Sequence, residues 1–170
     1  MPERNRGARE PLAAVEVRRG RNMRQLLLKA SRIVNRHVVE ELQRRGYVGL
    51  RSTHTTLLSN IDLAGSSVTE AAERAGITKQ AMGRIAAELE EAGYIRVEND
   101  PRDARVRVLR LTDEGHRLMM DSLDAMADLE HRYARVMGKA RLVELQRGLK
   151  IFIEEYDRDL VQTGSRAGDR

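Results

Sequence analysis

The sequence predicts a mainly α-helical protein with one small β-hairpin. Segments with apolar residues at spacings of three and four lie on both sides of residues 67–115, and this spacing is typical of amphipathic helices. Within 67–115, two short helical segments precede two strand-like runs joined by Asn99-Asp100-Pro101, which is strong turn chemistry. At 170 residues the chain suits one domain with its own core, plus tails.

The composition narrows the possible functions. The chain has 31 Lys and Arg against 26 Asp and Glu, a net charge of +5, which is compatible with nucleic acid but also with an ordinary mixed-charge helical surface. The lack of cysteine excludes disulfides, thiolate metal sites and thiol redox sensing. No run of 18 apolar residues and no apolar N-terminal segment occur, so we expect a cytoplasmic protein without a membrane span or signal peptide.

Residues 1–21 are expected to form a disordered basic tail. Proline and glycine are frequent there, apolar residues are few, and five arginines against three glutamates in residues 1–20 give +2. One interpretation is a solvated tail with no further role. The other is a basic arm that contacts phosphates beside the main site.

Residues 22–46 are predicted to form the first helix, ended by Gly46 after two arginines whose charges suit its C-terminus. The apolar stripe consists of Leu27, Ala30, Val34, Val38 and Leu42, widened by Leu26, Ile33 and Val39. This band is wider than one neighbouring element needs, so it predicts burial against a second subunit. A short helix over Ser52–Ile61, with Leu57, Leu58 and Ile61 facing the core, and a loop over 62–66 follow.

A helix-turn-helix is predicted next. Ser67 and Glu70 form a capping box that opens a helix through Ala75. Gly76 supplies the left-handed residue that ends this helix, and Thr78 caps the next one. The second helix carries Met82, Ile85, Ala86 and Leu89 on one face.

The opposite face of this second helix begins with Gln80 and Arg84 and ends with the acidic stretch Glu88–Glu91, interpreted as a solvated helix exit. Such a helix can direct its N-terminus at phosphates, as expected of a reading helix in a major groove. Gly83 in mid-helix costs about 1 kcal/mol relative to alanine. Close packing and close approach to DNA are both open explanations for it.

The hairpin follows Gly93, with strands predicted over Tyr94–Glu98 and Arg105–Leu111. The alternation slips at Val108–Leu109, which predicts a bulge or strand end there. Four arginines fall within nine residues of the hairpin: Arg102, Arg105, Arg107 and Arg110.

Two long helices complete the prediction. Thr112 caps a helix to about Met137, and Gly138 breaks the pattern. The last helix, about Ala140–Leu160, carries Leu142, Leu145, Leu149, Phe152, Tyr156 and Leu160 on one stripe. Residues 163–170 are interpreted as a disordered tail.

Several motifs together resemble the MarR family of winged helix-turn-helix regulators. They are the hairpin sequence 100–105, the following 111–115 (Leu-Thr-Asp-Glu-Gly), the turn 76–80 and the helix exit 89–95. One departure is Ala71, where the family usually has leucine. The resemblance implies a domain over 22–162, in which 50–112 form the winged helix-turn-helix. It also implies that helices 22–46 and 112–160 interlace with those of a second copy.

The candidate DNA-binding residues are Ser67, Thr78, Lys79, Gln80, Arg84, Arg102, Asp103, Arg105 and Arg107. The resemblance implies that Arg105 enters the minor groove while Asp103 steadies the hairpin, or wing. A narrow minor groove does attract arginine; the alternative is a solvated turn with a surface ion pair worth about 0–1 kcal/mol. Gln80 can bond an adenine edge and Arg84 a guanine edge or phosphate, the alternative being a plain cap and solvated face.

Other site types have little support. The four histidines (His37, His54, His116 and His131) show no metal-ligand pair at i, i+4, so no metal and no cofactor are expected. Met119, Met120 and Met126 are more typical of core filler than of a ligand site, and the ligand is unknown. No convergent catalytic set occurs, so we do not expect an enzyme.

We therefore expect a homodimeric, sequence-specific transcription regulator that binds a pseudo-palindromic double-stranded operator. The resemblance further implies a repressor that a small-molecule effector releases from DNA. The alternative is an effector-independent DNA-binding protein that acts architecturally or by competition with another regulator.

Overall fold

The computed structural model describes residue 20 and residues 22–100 and 105–167, with the backbone alone for 157–167. The predicted N-terminal tail, residues 1–21, therefore lies outside the described residues except at position 20, and residues 168–170 lie outside them too. Arg102 and Asp103 also fall outside. No described helix is both long enough and apolar enough to cross a membrane.

The predicted order of elements is confirmed: the described chain is mostly helical with a small sheet. The elements are α1 Met23–Arg44, α2 His54–Leu58, β1 Ser66–Ser67, α3 Val68–Ala75, α4 Lys79–Glu91, β2 Ile95–Asn99, β3 Arg107–Leu111, α5 Asp113–Met137 and α6 Lys139–Ala167.

Several boundaries differ from the prediction. Strand β2 is Ile95–Asn99 where Tyr94–Glu98 was predicted, and β3 begins at Arg107, two residues later than predicted. Helix α2 has five residues, because the threonines around it are poor helix formers. Strand β1 lies at the end of the predicted loop 62–66, and its two residues are too few to show a pattern. Helix α6 continues to Ala167, so residues 163–167, predicted as tail, are helical.

The chain divides into two compact units, residues 1–122 and 123–170. In the first, α4 supplies Met82, Ala86 and Leu89 to a core that also takes side chains from α1, α2, α3 and the sheet. Ile85 is partly buried beside them. The apolar face predicted for this helix is thus confirmed.

Helix α1 contributes only its C-terminal part to this core. Val39 and Leu42 are buried, whereas Met23, Leu26 and Ile33 are 52%, 53% and 44% exposed. Of the eight residues of the predicted stripe, only Val39 and Leu42 are buried in the single chain, and Leu26, Ala30 and Ile33 are exposed.

The sheet has the order β1-β3-β2 and is antiparallel throughout. Its register is unbroken from Ile95 opposite Leu111 to Asn99 opposite Arg107, so the predicted bulge at Val108–Leu109 is wrong. Both of these residues are buried because β3 is the central strand. A Cβ added to Gly65 would lie 3.1 Å from Val108 Cγ1, so the preceding loop covers that face.

The C-terminus of α1 is attached to the first turns of α5. The Tyr47 hydroxyl donates to Asp121 Oδ2 (2.6 Å), and Arg45 Nη1 donates to the Asp121 carbonyl oxygen (3.2 Å). Burial, aided by the Asp121 carboxylate, raises the pKa of Tyr47 to about 12. The hydroxyl therefore remains a proton donor at all physiological pH values.

In the second unit, Gln146 Nε2 donates to Glu130 Oε1 (2.9 Å), joining α6 to the C-terminal part of α5. Large apolar side chains of α6 remain exposed: Val143, Leu145, Ile151, Phe152, Ile153 and Tyr156. The rings of Phe152 and Tyr156 lie 4.8 Å apart. As on α1, this apolar surface has no cover within the described unit.

The start of α5 is pressed against the start of β2. Thr112 Oγ1 donates to the Gly93 carbonyl oxygen (2.6 Å) and accepts from the Gly115 N–H (3.0 Å). A Cβ added to Gly115 would lie 2.0 Å from the Tyr94 carbonyl oxygen. Only glycine allows this approach, because the obstacle is backbone that a rotamer change cannot move.

Gly115→Ala should lower the free energy of unfolding by roughly 1–3 kcal/mol or more, because α5 must move away from β2. The measurement is urea denaturation of both proteins. Gly148→Ala is the control, since a Cβ at Gly148 on α6 meets no described atom within 4 Å. Equal stabilities of Gly115→Ala and the parent would contradict the close packing.

Candidate nucleic-acid interface

The exposed face of α4 carries the polar residues predicted for it. Thr78 Oγ1 accepts from the Ala81 N–H (3.2 Å) and so caps the helix. Lys79, Gln80 and Arg84 are exposed on its first two turns. Because Met82, Ala86 and Leu89 are buried on one face of the helix, the opposite face with these polar residues is exposed.

Helix α3 is fixed at both ends. Ser67 Oγ accepts from the Glu70 N–H (3.1 Å), and Glu70 Oε2 accepts from the Ser67 N–H (2.8 Å), which confirms the capping box. At the other end, Arg74 Nη2 donates to Asp62 Oδ2 (2.8 Å) and Ser66 Oγ (3.1 Å). The cap uses the oxygen of Ser67, which leaves its hydroxyl hydrogen to donate elsewhere.

A groove lies between α4 and the beginning of β3, with a cavity of about 420 Å³. We call it the α4–β3 groove, and its lining residues are Ser67, Val68, Thr69, Lys79, Gly83, Arg105, Val106 and Arg107. It brings together four candidate residues: Ser67 of β1, Lys79 of α4, Arg105 of the turn before β3, and Arg107 of β3. None of its described lining residues is acidic.

The other candidates lie apart from this groove or outside the described residues. Thr78, Gln80 and Arg84 are exposed on α4 but do not line the groove. Arg102 and Asp103 are not among the described residues. Arg110, the fourth arginine of the hairpin, holds the fold together: its Nη1 donates to the Ala64 carbonyl oxygen (2.5 Å), and its Nε lies 3.3 Å from Glu98 Oε2.

A polar cluster that the sequence did not reveal holds the C-terminal half of α4. His54 is buried, its Nδ1 accepts from the Arg51 N–H (3.3 Å), and its Nε2 lies 2.9 Å from Glu88 Oε2. With Nδ1 as acceptor, a neutral ring carries its hydrogen on Nε2 and donates to Glu88. Arg51 Nη1 also donates to Glu88 Oε2 (3.2 Å).

Glu90 and Glu91 are exposed, as expected of a solvated helix exit, but two carboxylates of this stretch also bind neighbouring elements. Glu88 is bound to α2, and Glu90 Oε1 accepts from the Val97 N–H of β2 (2.8 Å). The hydrogen bond from His54, with a smaller contribution from Arg51, holds the pKa of Glu88 below its ordinary value. No sequence spacing reveals a bond between residues 34 positions apart.

Among the described residues, no three His, Cys, Asp or Glu side chains are grouped as metal ligands. The described part of the interface thus consists of hydroxyl, amide and cationic groups, which bind phosphate oxygens and base edges.

Comparisons with known proteins agree with this arrangement. Residues 48–106, from the segment before α2 to the beginning of β3, match the family model described as MarR family. This segment is thus similar to the MarR family over about a third of the chain. Nothing among the curated proteins matches the sequence.

Solved structures extend the likeness beyond residues 48–106. The reduced form of MarR from E. coli has a TM-score of 0.67 at 18% identity, covering 78% of this chain and 96% of that chain. The transcriptional regulator PA4135 has a TM-score of 0.64 at 20% identity, covering 78% and 96%. A MarR-family regulator from Rhodococcus sp. RHA1 has 0.60 at 21%, covering 84% and 94%. The predicted winged helix-turn-helix fold is thereby confirmed.

Because Glu88 is bonded to His54 and Arg51, the free energy of unfolding should depend on the protonation of its carboxylate. Because the pKa of Glu88 is lowered from 4.5 in the folded chain, its contribution is present above that value and is lost as the pH falls through the folded pKa. Glu88→Gln keeps an acceptor for His54 but removes the charge. The parent should therefore be more stable than Glu88→Gln near neutral pH, and the difference should shrink in acid.

Urea denaturation between about pH 7 and about pH 3 measures this difference. Glu91→Gln, at an exposed position at the end of the same helix, is the matched control for the loss of one negative charge. A difference between the parent and Glu88→Gln that stays constant over this range would contradict the role assigned to the Glu88 carboxylate.

Proposed function

We propose that this chain is a sequence-specific, DNA-binding transcription regulator in which α4 enters the major groove. The β2–β3 hairpin, the wing, lies in the flanking minor groove. The observation that carries the proposal is the α4–β3 groove, where Lys79 on one wall faces Arg105 and Arg107 on the other. Cations on a reading helix and on the hairpin beside it are suited to binding the phosphates of a duplex.

The distribution of charge along α4 supports this orientation. Its first turns carry the exposed side chains of Lys79, Gln80 and Arg84 and the positive end of the helix dipole. At its C-terminal end, Glu88 and Glu90 are bound by α2 and β2. The acidic C-terminal end of α4 is thus bonded to neighbouring elements, while its basic N-terminal end is exposed and can contact the anionic ligand.

Within this proposal, direct reading of bases falls to Gln80 and Arg84. Gln80 can bond an adenine edge with both amide atoms, and Arg84 can bond a guanine edge or a phosphate. Ser67, Thr78, Lys79 and Arg107 contact phosphates. Arg105 enters the minor groove, and Arg102 and Asp103, three and two positions earlier in the sequence, complete the proposed DNA-binding set.

We further propose that the protein acts as a homodimer that binds a pseudo-palindromic operator. The exposed apolar residues of the N-terminal half of α1 and of α6 support a self-complementary interface, because a soluble monomer rarely leaves such surface uncovered. Two reading helices would then enter successive major grooves about 34 Å apart.

The regulatory part of the proposal is a repressor that a small molecule releases from DNA. A ligand would act by favouring a dimer with a different spacing of the reading helices. This part rests on the family likeness. A thermal-shift screen separates it from an effector-independent regulator: a compound that raises the midpoint and weakens DNA binding supports the effector.

The wing and the reading helix should respond differently to substitution. Arg105→Ala should weaken binding to every sequence, most with A·T-rich flanks, and make the salt slope shallower by about one unit. Gln80→Ala should leave the salt slope nearly unchanged and relax the preference at one symmetric position per half-site by about 1–3 kcal/mol.

Fluorescence titration at several salt concentrations, against an operator and its single-base variants, measures both effects. The operator is first located by footprinting the region upstream of the protein's own gene. If Arg105→Ala binds as tightly as the parent at every salt concentration, the wing does not contact DNA. If the parent itself shows no salt-dependent binding to duplex DNA, the proposed function fails.

The dimer is tested at α6. Leu149→Glu with Phe152→Glu should give a monomer or an unfolded chain, because both carboxylates would enter an apolar interface. Arg147→Glu is the control, since Arg147 is exposed and lies on the opposite side of the helix from Leu149 and Phe152. Sedimentation velocity measures the state, and a folded, dimeric double variant would contradict the proposed interface.

A further inference from the structure

Gly83 lies in the second turn of α4, and no contact with the described residues requires glycine there. A glycine within a helix is less favourable than alanine, because it loses more backbone freedom on folding. Gly83 is not among the glycines with positive φ, so its backbone conformation does not require glycine. A Cβ at this position meets no described atom within 4 Å, so close packing does not require it either.

The contrast with Gly115 is direct. At Gly115 an added Cβ would strike the Tyr94 carbonyl oxygen, whereas at Gly83 it would enter open space. Of the two explanations that the sequence left open for Gly83, packing against the described protein is therefore excluded. The remaining explanation is a ligand that approaches the helix backbone from outside.

The surroundings of Gly83 indicate the chemistry of that ligand. Gly83 lines the α4–β3 groove together with Lys79, one turn earlier on the helix, and with Arg105 and Arg107 on the hairpin side. It also lines a cavity of about 220 Å³ with the small side chains of Ala86 and Ala87 and with Glu90, whose Oε1 accepts from the Val97 N–H. The groove therefore combines cationic walls with a low helical floor, which suits an anionic chain lying close to α4.

Duplex geometry identifies this chain. When a reading helix occupies a major groove and the wing occupies the next minor groove, the sugar-phosphate backbone that separates them must cross between helix and wing. In this protein the crossing point is the α4–β3 groove. A side chain at position 83 would stand in the path of that backbone.

We propose that the α4–β3 groove contains a binding site for one DNA phosphodiester, which lies directly against the backbone of Gly83. The absence of a side chain at this position determines how deeply α4 enters the major groove. The inference rests on the proposed DNA-binding function and adds a residue that determines affinity without donating a hydrogen bond from a side chain. Glycine at position 83 thus lowers the stability of the helix but allows the ligand to approach its backbone closely.

This role predicts opposite effects on stability and on affinity. Gly83→Ala should raise the thermal midpoint by roughly 2–4 °C and weaken operator binding by about tenfold, through overpacking against the phosphodiester. Gly83→Leu has room in the cavity of the DNA-free protein and should weaken binding further, by about a hundredfold. A merely structural glycine would change affinity only in parallel with stability.

The experiment measures thermal unfolding, sedimentation and salt-dependent binding to a duplex of the gene's upstream region for the full-length parent and both variants. Gly148→Ala is the matched control, because Gly148 also lies within a helix and an added Cβ there meets no described atom within 4 Å. It should share the gain in stability, keep the oligomeric state and leave DNA affinity within about twofold.

The outcomes separate this inference from the proposed function. A parent that does not bind duplex DNA overturns the proposed function and the inference with it. If the parent binds DNA and Gly83→Ala binds it as tightly or more tightly, only the proposed phosphodiester binding site is overturned. A loss of stability in Gly83→Ala also overturns it, because the glycine would then be required by the protein itself.

Discussion

The burial of one face of α4 is the constraint on which the rest of this structure depends. Met82 and Leu89 have no exposed surface, and Ala86 has almost none. Burial of these side chains contributes several kcal/mol and allows one rotation of the helix about its axis. With that rotation set, Lys79, Gln80 and Arg84 point outward together.

Polar contacts at both ends of α4 complete its placement. Thr78 caps the first turn, and the bonds of Glu88 to His54 and of Glu90 to the Val97 N–H hold the last turns to α2 and β2. A buried histidine with both ring nitrogens bonded is costly to disturb, since the loss of either bond leaves a buried polar group without its partner. The hydrophobic face sets the orientation of the helix, and these bonds limit its movement along its axis.

Two glycines show how the same residue type serves opposite purposes. Gly115 lets the first turn of α5 lie against the Tyr94 carbonyl group, so it joins the wing region to the long helix from inside the protein. Gly83 faces open space between Lys79 and the hairpin arginines. A glycine that stabilises packing and one that admits a ligand look alike in a sequence, because both are recognised only by what surrounds the missing Cβ.

The sequence by itself determined the features that rest on local chemistry. The capping box of Ser67 and Glu70, the left-handed Gly76, the Thr78 cap and the apolar face of α4 follow from spacings of one to four residues, and all are found in the structure.

Tertiary structure decided what depends on distant neighbours. It made β3 a central strand covered on both faces, so that Val108 and Leu109 are both buried without a bulge. It brought His54 to Glu88 and placed Lys79 opposite Arg105 and Arg107. Local patterns record which face of an element is apolar, whereas contacts between elements depend on loop paths and packing that no periodicity encodes.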